Sequence, residues 1–165
     1  MRKLILIILL LIVNKSYSQT YISVVPLITN DTGTLMDKSN ISFEIGKQYE
    51  CFSIGFDIGK TSLSSKISKD VYIEVRPNLN VFQQGKWTNT LTFGVGYVIN
   101  AEQNFLTEVT SGIEYSYSDK IHLNIYFGQF YYSGRHTTSS PTFFGVSIMR
   151  YFLPYKPKSL IVKQQ

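Results

Sequence analysis

The sequence has little charge, a single cysteine and no apolar segment long enough for a membrane-spanning helix. Charged residues make up 16% of the 165 positions, against roughly a quarter in an ordinary soluble domain. The one cysteine, Cys51, excludes a disulfide framework and a zinc site made of several cysteines. The longest apolar run, residues 4–13, is shorter than the ~18 residues of a spanning helix, which excludes a multi-helix transporter.

The sequence is instead rich in aromatic residues and glycine, and it follows a period of two. It holds 12 Tyr, 11 Phe and 11 Gly, and its length fits one domain. After residue 20, apolar and polar residues alternate in eight segments, which is the pattern of half-buried β-strands. We predict strands at residues 20–29, 38–47, 51–61, 70–82, 88–100, 104–117, 120–132 and 142–152.

The first 18 residues have the organisation of a cleavable signal peptide. A basic pair precedes the apolar run, and small residues flank the site before Gln19. The net positive charge of the chain, +5, comes from this segment and the last thirteen residues, because residues 19–152 hold 10 basic and 11 acidic residues. We therefore expect a signal peptide over 1–18, one folded domain over 19–152, a basic periplasmic tail over 153–165, and no nucleic-acid partner.

The placement of lysine indicates which face of the strands points inward. After residue 18, every lysine falls at a predicted strand end, in a turn or in the tail. The polar face combines Gly, Ser and Thr with longer polar residues, which can interdigitate inside a narrow closed barrel. The apolar face then meets lipid. Three of the four predicted segments on one side exceed every turn on the other, which favours a bacterial outer-membrane barrel with both termini in the periplasm.

These features resemble the small eight-stranded outer-membrane barrels, the group that includes outer membrane protein X and the barrel domain of outer membrane protein A. The resemblance covers residues 20–152. It rests on the signal peptide, the eight alternating segments and the aromatic-ended last strand, Phe143–Phe152. It implies an all-β, eight-stranded antiparallel up-and-down transmembrane β-barrel whose last strand is recognised by the barrel assembly machinery. This chain departs from the group in continuing after Phe152.

The polar face carries the candidate site residues, which are mostly acidic. They are Glu44, Asp57, Glu74, Arg76, Glu108, Glu114 and His122. We expect a network of ion pairs and hydrogen bonds that fills a non-conducting lumen, because buried charges are usually paired. The alternative is that the acidic excess makes carboxylates share a proton or a cation. We expect neither a metal nor a cofactor, since two separated histidines are a weak basis for a metal site. Arg150 falls on the apolar face, where its head group can reach the interface.

A catalytic alternative centres on His136 in the last predicted outer loop. A histidine near serine hydroxyls at a barrel rim resembles the outer-membrane lipid A deacylases, which are similar in size and strand count. Their His-x-Ser-Asn motif is absent, because His136 is followed by Thr-Thr-Ser-Ser. A serine near a histidine without an orienting acid is not a triad. The sequence therefore favours a non-enzymatic role and leaves enzymatic activity open, with His136 as the candidate catalytic residue.

The sequence predicts a structural or surface-interaction role through the outer loops. The expected partners are outer-membrane lipid and lipopolysaccharide, the assembly machinery, and surface proteins met by the loops. Two alternatives remain open, a lipid A-modifying barrel enzyme and a secreted soluble barrel that binds an apolar ligand inside. Fold alone does not decide between such functions.

Overall fold

The computed structural model describes residues 18–30, 38–61, 70–99, 104–134 and 138–162. Within these residues the chain forms ten β-strands. They are β1 (Ser18–Asn30), β2 (Lys38–Tyr49), β3 (Phe52–Thr61), β4 (Asp70–Gln84), β5 (Trp87–Val98), β6 (Phe105–Ser116), β7 (Ile121–Ser133), β8 (Thr138–Ser139), β9 (Thr142–Tyr151) and β10 (Ile161–Val162). In this described part, no helix has the length and apolar character needed to cross a membrane.

Eight of these strands close into an antiparallel up-and-down barrel. Each of β1 to β7 pairs with its neighbour in the chain, and β9 pairs with both β7 and β1. Val24 of β1, for example, lies opposite Phe43 on one side and Ile148 on the other. The two-residue strand β8 pairs with β7, and β10 pairs in parallel with β4. The predicted eight-stranded all-β barrel is confirmed, with strand ends within three residues of the predicted ones.

The two ends of the barrel differ, and we call them the turn end and the loop end. At the turn end, strands are joined by short turns at residues 50–51, 85–86 and 117–120. Glu50 and Gly85 have φ angles of 47° and 60° there, the left-handed conformation that tight turns require. At the loop end the described strands stop on either side of residues 31–37, 62–69, 100–103 and 135–137, which are outside the described part.

The faces of the strands are arranged as the lysine positions predict. On β5, Thr88, Thr90 and Thr92 point inward and are buried, whereas Phe93 and Val95 point outward and are exposed. The same alternation holds on β6, β7 and β9. Arg150 is exposed on the outer surface with the apolar row, as its position in the alternation predicts. The barrel therefore has a polar interior and an apolar exterior, the reverse of a soluble barrel.

The interior is layered from one end to the other. An aromatic and aliphatic cluster, which we call the loop-end cluster, fills the half of the lumen near the loop end. Its members are Val25, Tyr72, Val98, Leu106, Tyr126, Phe130, Tyr132 and Phe143. A smaller cluster lies at the turn end and consists of Tyr21, Met149, Tyr151 and Tyr155. The charged side chains lie between the two clusters.

The residues after the last barrel strand fold back across the turn end. Tyr155 is buried, with 7% of its surface exposed, and β10 ends this segment on the far side of the barrel, against β4. The predicted basic tail is therefore packed against the barrel as far as Val162. The predicted signal peptide lies outside the described part, except for Ser18, which is the first residue of β1.

Candidate functional site

Arg76 of β4 lies at the centre of the charged layer and joins two carboxylates from different strands. Its Nη1 donates to Glu44 Oε2 at 2.8 Å, and its Nη2 donates to Glu108 Oε1 at 2.8 Å. All three side chains are at most 11% exposed. The guanidinium also lies 5.9 Å from the ring centroid of Tyr126. One cation thus bridges β2 and β6 across the lumen, with charge-assisted hydrogen bonds to both.

Two further carboxylate positions, those of Asp57 and Glu74, follow directly from the strand register. Glu44 lies opposite Asp57, and Asp57 lies opposite Glu74, so three acidic residues stand side by side on β2, β3 and β4. Like charges placed directly opposite are destabilising. Two tyrosines offset part of that cost, since Tyr21 donates to Glu44 and Tyr72 donates to Asp57 Oδ2 at 3.0 Å. The lumen is therefore acidic but heavily hydrogen-bonded.

Glu74 is the exception in this row. It is 1% exposed, and among the described residues neither of its carboxylate oxygens has a hydrogen-bond partner. Its carboxylate lies over Gly94, where a Cβ would overlap it and would also meet Glu108. The absence of a Cβ at Gly94 leaves the space that the Glu74 carboxylate occupies. The sequence predicts this arrangement, in which small residues on the polar face make room for longer ones.

Nearer the turn end, His122 and Glu114 form a separate pair. His122 Nδ1 is 2.6 Å from Glu114 Oε1, and both side chains are buried. The His122 ring packs 4.8 Å from Tyr151 and stacks 5.7 Å from Tyr155, measured between centroids. His122 therefore acts as a hydrogen-bonded part of the interior. Burial and the charge of Glu114 raise the pKa of Tyr155 above its ordinary value, so Tyr155 stays a neutral hydrogen-bonding group.

The structure divides the predicted site residues into these two groups. Glu44, Asp57, Glu74 and Glu108 surround Arg76, whereas His122 and Glu114 form the separate pair. In the described part of the chain, no group of three or more His, Cys, Asp or Glu side chains is placed to hold a metal ion. The sharing of a proton or cation by the acidic excess stays a prediction.

Two further residues singled out in the sequence are Cys51 and His136, of which the structure describes only Cys51. Cys51 is a half-buried free thiol in the turn between β2 and β3. His136 lies outside the described residues, so the catalytic hypothesis for the last loop stays a prediction.

The loop-end cluster is not among the site residues predicted from the sequence. Phe130 and Phe143 stack at 4.2 Å between centroids, and Tyr72 packs 6.3 Å from Phe130. The signal was present in the alternation, because Phe130 continues the inward row of Tyr126 and Gly128 on β7. Aromatic side chains at those positions close the lumen at this end.

The remaining free space inside the barrel is small. A polar cavity of about 30 Å³ lies between Arg76 and the turn end and is lined by residues such as Gln48, Asn78 and Asn124. Such a cavity holds on the order of two water molecules. Ligand pockets are about ten times larger. The described interior is therefore packed with side chains and holds no space for a drug-sized ligand.

Comparisons with known proteins agree with this fold. No family model matches the sequence, and no curated protein matches it either. The crystal structure of Neisserial surface protein A (NspA) aligns with 82% of this chain and 97% of its own, at 9% identity and a TM-score of 0.57. The solution structure of the de novo designed protein TMB2.3 aligns with 85% of this chain and 99% of its own, at 13% identity and a TM-score of 0.56.

A third structure gives a weaker alignment. Ail, the attachment invasion locus protein of Yersinia pestis, covers 80% of this chain and 97% of its own, at 11% identity and a TM-score of 0.40. Similarities at such low identity show the fold alone. Together with the closed eight-stranded sheet, the first two alignments show that this chain has the fold of the small eight-stranded outer-membrane barrels that its sequence resembles.

Proposed function

We propose that the protein is an outer-membrane β-barrel with a filled lumen, and that its turn end faces the periplasm. The observation that carries this proposal is the arrangement of the two faces. Large apolar side chains such as Phe43, Phe93, Phe127 and Ile148 are exposed around the whole barrel, while Arg76 and the carboxylates around it are buried inside. Such a surface is costly in water and favourable in lipid.

The backbone and the rims fit the same environment. Closure pairs every barrel strand on both sides, which a bilayer requires because lipid offers no hydrogen bonds. The strands are 10 to 15 residues long, against about 9–11 for a tilted membrane strand. Trp87 and Tyr117 are exposed at the turn end, where amphipathic aromatic rings lie at a membrane interface.

For the biological role, we infer surface interaction through the outer loops. The packed lumen supports this role over transport, because in the described residues the space beside Arg76 is a cavity of about 30 Å³ and the loop-end cluster is buried. A soluble barrel with an apolar ligand inside requires the opposite arrangement of faces. The fold shared with a protein named as a surface protein, NspA, supports the same role. Lipopolysaccharide and proteins on other cells are the partners that loops at this end would meet.

The location is tested by membrane fractionation, followed by electrophoresis of boiled and unboiled samples in SDS. We expect the protein in the outer-membrane fraction, with a mobility that shifts on heating because a closed barrel resists SDS until it is heated. A protein that stays soluble without detergent would contradict the proposed location.

The role is tested by replacing residues 31–37 and 62–69 with short turns. Binding to purified lipopolysaccharide and to other cells is compared with that of the full chain. A matched control inserts residues of similar number into the turn at 85–86, at the opposite end. We expect loss of binding only for the loop variants, provided that their heat-shifted mobility shows a folded barrel. Unchanged binding by folded loop variants would contradict the role.

A further inference from the structure

The residues after β9 make specific contacts right across the turn end of the lumen. The Tyr155 backbone N–H donates to Asp119 O at 2.6 Å in the β6–β7 turn. On the other side of the opening, the Tyr155 hydroxyl donates to Glu50 O at 3.1 Å. Residues on opposite sides of the barrel are thus joined through one tyrosine, because Glu50 belongs to the β2–β3 turn.

Tyr155 also fills the opening between these contacts. Its ring packs 4.5 Å from Tyr151 and 5.7 Å from His122, measured between centroids. Asn80 Nδ2 donates to the Tyr155 hydroxyl at 3.3 Å and to Lys158 O at 3.0 Å. A buried ring with a satisfied hydroxyl has the character of an anchor residue in peptide recognition.

The second part of the contact is a strand edge. Strand β4 extends past the start of β3, since Phe52 already lies opposite Leu79. The chain covers part of that free edge itself, because Leu160 N–H donates to Asn80 O at 3.0 Å and β10 pairs in parallel with Phe82 and Gln83. Adding an extended segment to an open sheet edge is a common mode of peptide binding.

We propose that the turn-end opening is a binding site for an extended, tyrosine-anchored peptide, and that the chain fills it with its own residues 153–162. The site has two parts, a pocket for the ring beside His122 and Tyr151 and an edge at residues 80–83 for the following strand. Filling it places the Tyr155 ring over His122 of the His122–Glu114 pair from the turn-end side. This inference goes beyond the proposed surface role and does not depend on it.

Cys51 provides a built-in reporter for this site. It is half-buried, and its carbonyl oxygen accepts from the Asn80 N–H at 2.8 Å. It directly follows Glu50, whose carbonyl accepts from the Tyr155 hydroxyl. As the chain has one cysteine, the rate at which a water-soluble maleimide labels the protein reports on this position alone.

The experiment uses the full chain in detergent micelles, so its outcome is independent of where the protein resides in the cell. We expect Tyr155→Ala to raise the labelling rate of Cys51 roughly tenfold, because the segment then leaves the opening more often. Tyr117→Ala is the matched control, since Tyr117 lies at the same end but is 66% exposed. It should label at the wild-type rate. An unchanged rate for Tyr155→Ala in a barrel that still shifts on heating would overturn the proposal.

Binding in trans is tested on the same Tyr155→Ala protein. A synthetic peptide of residues 153–165 should restore slow labelling at millimolar concentration, which is about the effective concentration of a short tethered segment. The same peptide with alanine in place of tyrosine should not. Failure of the tyrosine peptide to protect Cys51 would show that the opening is not a peptide site. Dilution of the wild-type protein provides a further test. If Cys51 is then labelled faster, the turn-end opening is filled by residues 153–162 of a second copy and not of the same chain.

The edge part of the site has its own test, which also serves if Tyr155→Ala fails to fold. Leu160→Pro removes the N–H that donates to Asn80 O, whereas Leu160→Ala keeps it. Faster labelling for the proline variant than for the alanine variant is expected. Equal rates would overturn the assignment of the β4 edge as part of the site.

Discussion

At the loop end the lumen is filled by side chains of the barrel strands themselves, whereas at the turn end it is covered by residues that follow the last strand. Phe130 and Phe143 belong to β7 and β9, so the loop-end cluster cannot leave without unfolding the sheet. Tyr155 belongs to a segment joined to β4 by two registered pairs and not to the closed sheet, so we expect that it can leave while the barrel stays closed. The contacts at the loop end thus stabilise the barrel itself, whereas those at the turn end only cover the opening of its lumen.

The largest effect is expected from the charged layer between the two ends. Arg76→Met leaves Glu44 and Glu108 buried without their cation. Breaking a buried ion pair on one side costs about 3–5 kcal/mol. We expect a loss of that size in the free energy of unfolding, measured by urea titration in lipid vesicles with the fluorescence of Trp87.

Two companion variants identify the cause of that loss. Adding Glu44→Gln and Glu108→Gln to Arg76→Met should recover part of the stability, because the uncompensated charges are removed. Arg150→Met, on the exposed outer surface, should change the free energy of unfolding by less than about 1 kcal/mol. Equal effects of Arg76→Met and Arg150→Met would contradict the network as described.

The next effect concerns the loop-end cluster. Phe130→Ala removes a stacked ring from a closed interior and should cost about 3 kcal/mol or more. Phe127→Ala, on the same strand but 61% exposed on the outer face, should cost less in the same urea titration, about 1–2 kcal/mol, because the ring loses contact with lipid but leaves no cavity inside the barrel. If Phe127→Ala were the more destabilising of the two, the assignment of inward and outward faces on β7 would be wrong.

A smaller effect is expected where the acidic row needs space. Gly94→Ala places a Cβ against the carboxylate of Glu74, and overpacking of this kind costs about 1–3 kcal/mol. Combining it with Glu74→Ala should cost less than the two separate changes added together, because the clash is then removed. The double-mutant cycle in urea measures that difference, and simple additivity would place Glu74 away from Gly94.

The smallest effect on barrel stability is expected at the turn end. Tyr155→Ala should lower the global free energy of unfolding by less than about 1 kcal/mol if the segment opens before the barrel unfolds. The loss of stability is measured as a shift in the urea midpoint. The folded fraction at each urea concentration is read from the band of unboiled samples. A loss as large as that of Phe130→Ala would remove the distinction between the two ends.

The sequence predicts the strands and the direction of their side chains, including those of the loop-end cluster. It does not predict how the residues after the last barrel strand pack at the turn end. Alternation of apolar and polar residues, together with lysine confined to strand ends, suffices for eight strands and for the inward direction of Glu44, Arg76 and His122. These features are local in the chain, and a period of two leaves only two choices of face. The inward position of Phe130 follows from the same rule.

The pairing of particular charges and the packing of the last residues do not follow from that rule. That Arg76 joins Glu44 and Glu108 depends on the stagger of strands that are distant in sequence. Tyr155 reaches Glu50 across 105 positions of the chain, and the segment around it has no alternation and several lysines. Composition predicts a solvated tail there, whereas a single aromatic residue decides its packing.

The central claim is that the apolar exterior of the barrel faces lipid. The chain has one tryptophan, Trp87, which is 53% exposed on the outer surface near the turn end. Its fluorescence in vesicles of brominated phospholipid tests the claim directly, because bromine quenches only on close approach. We predict strong quenching by chains brominated near the head group, weaker quenching by chains brominated near their ends, and little quenching by acrylamide in water. Efficient quenching by acrylamide with no effect of the brominated chains would contradict the claim.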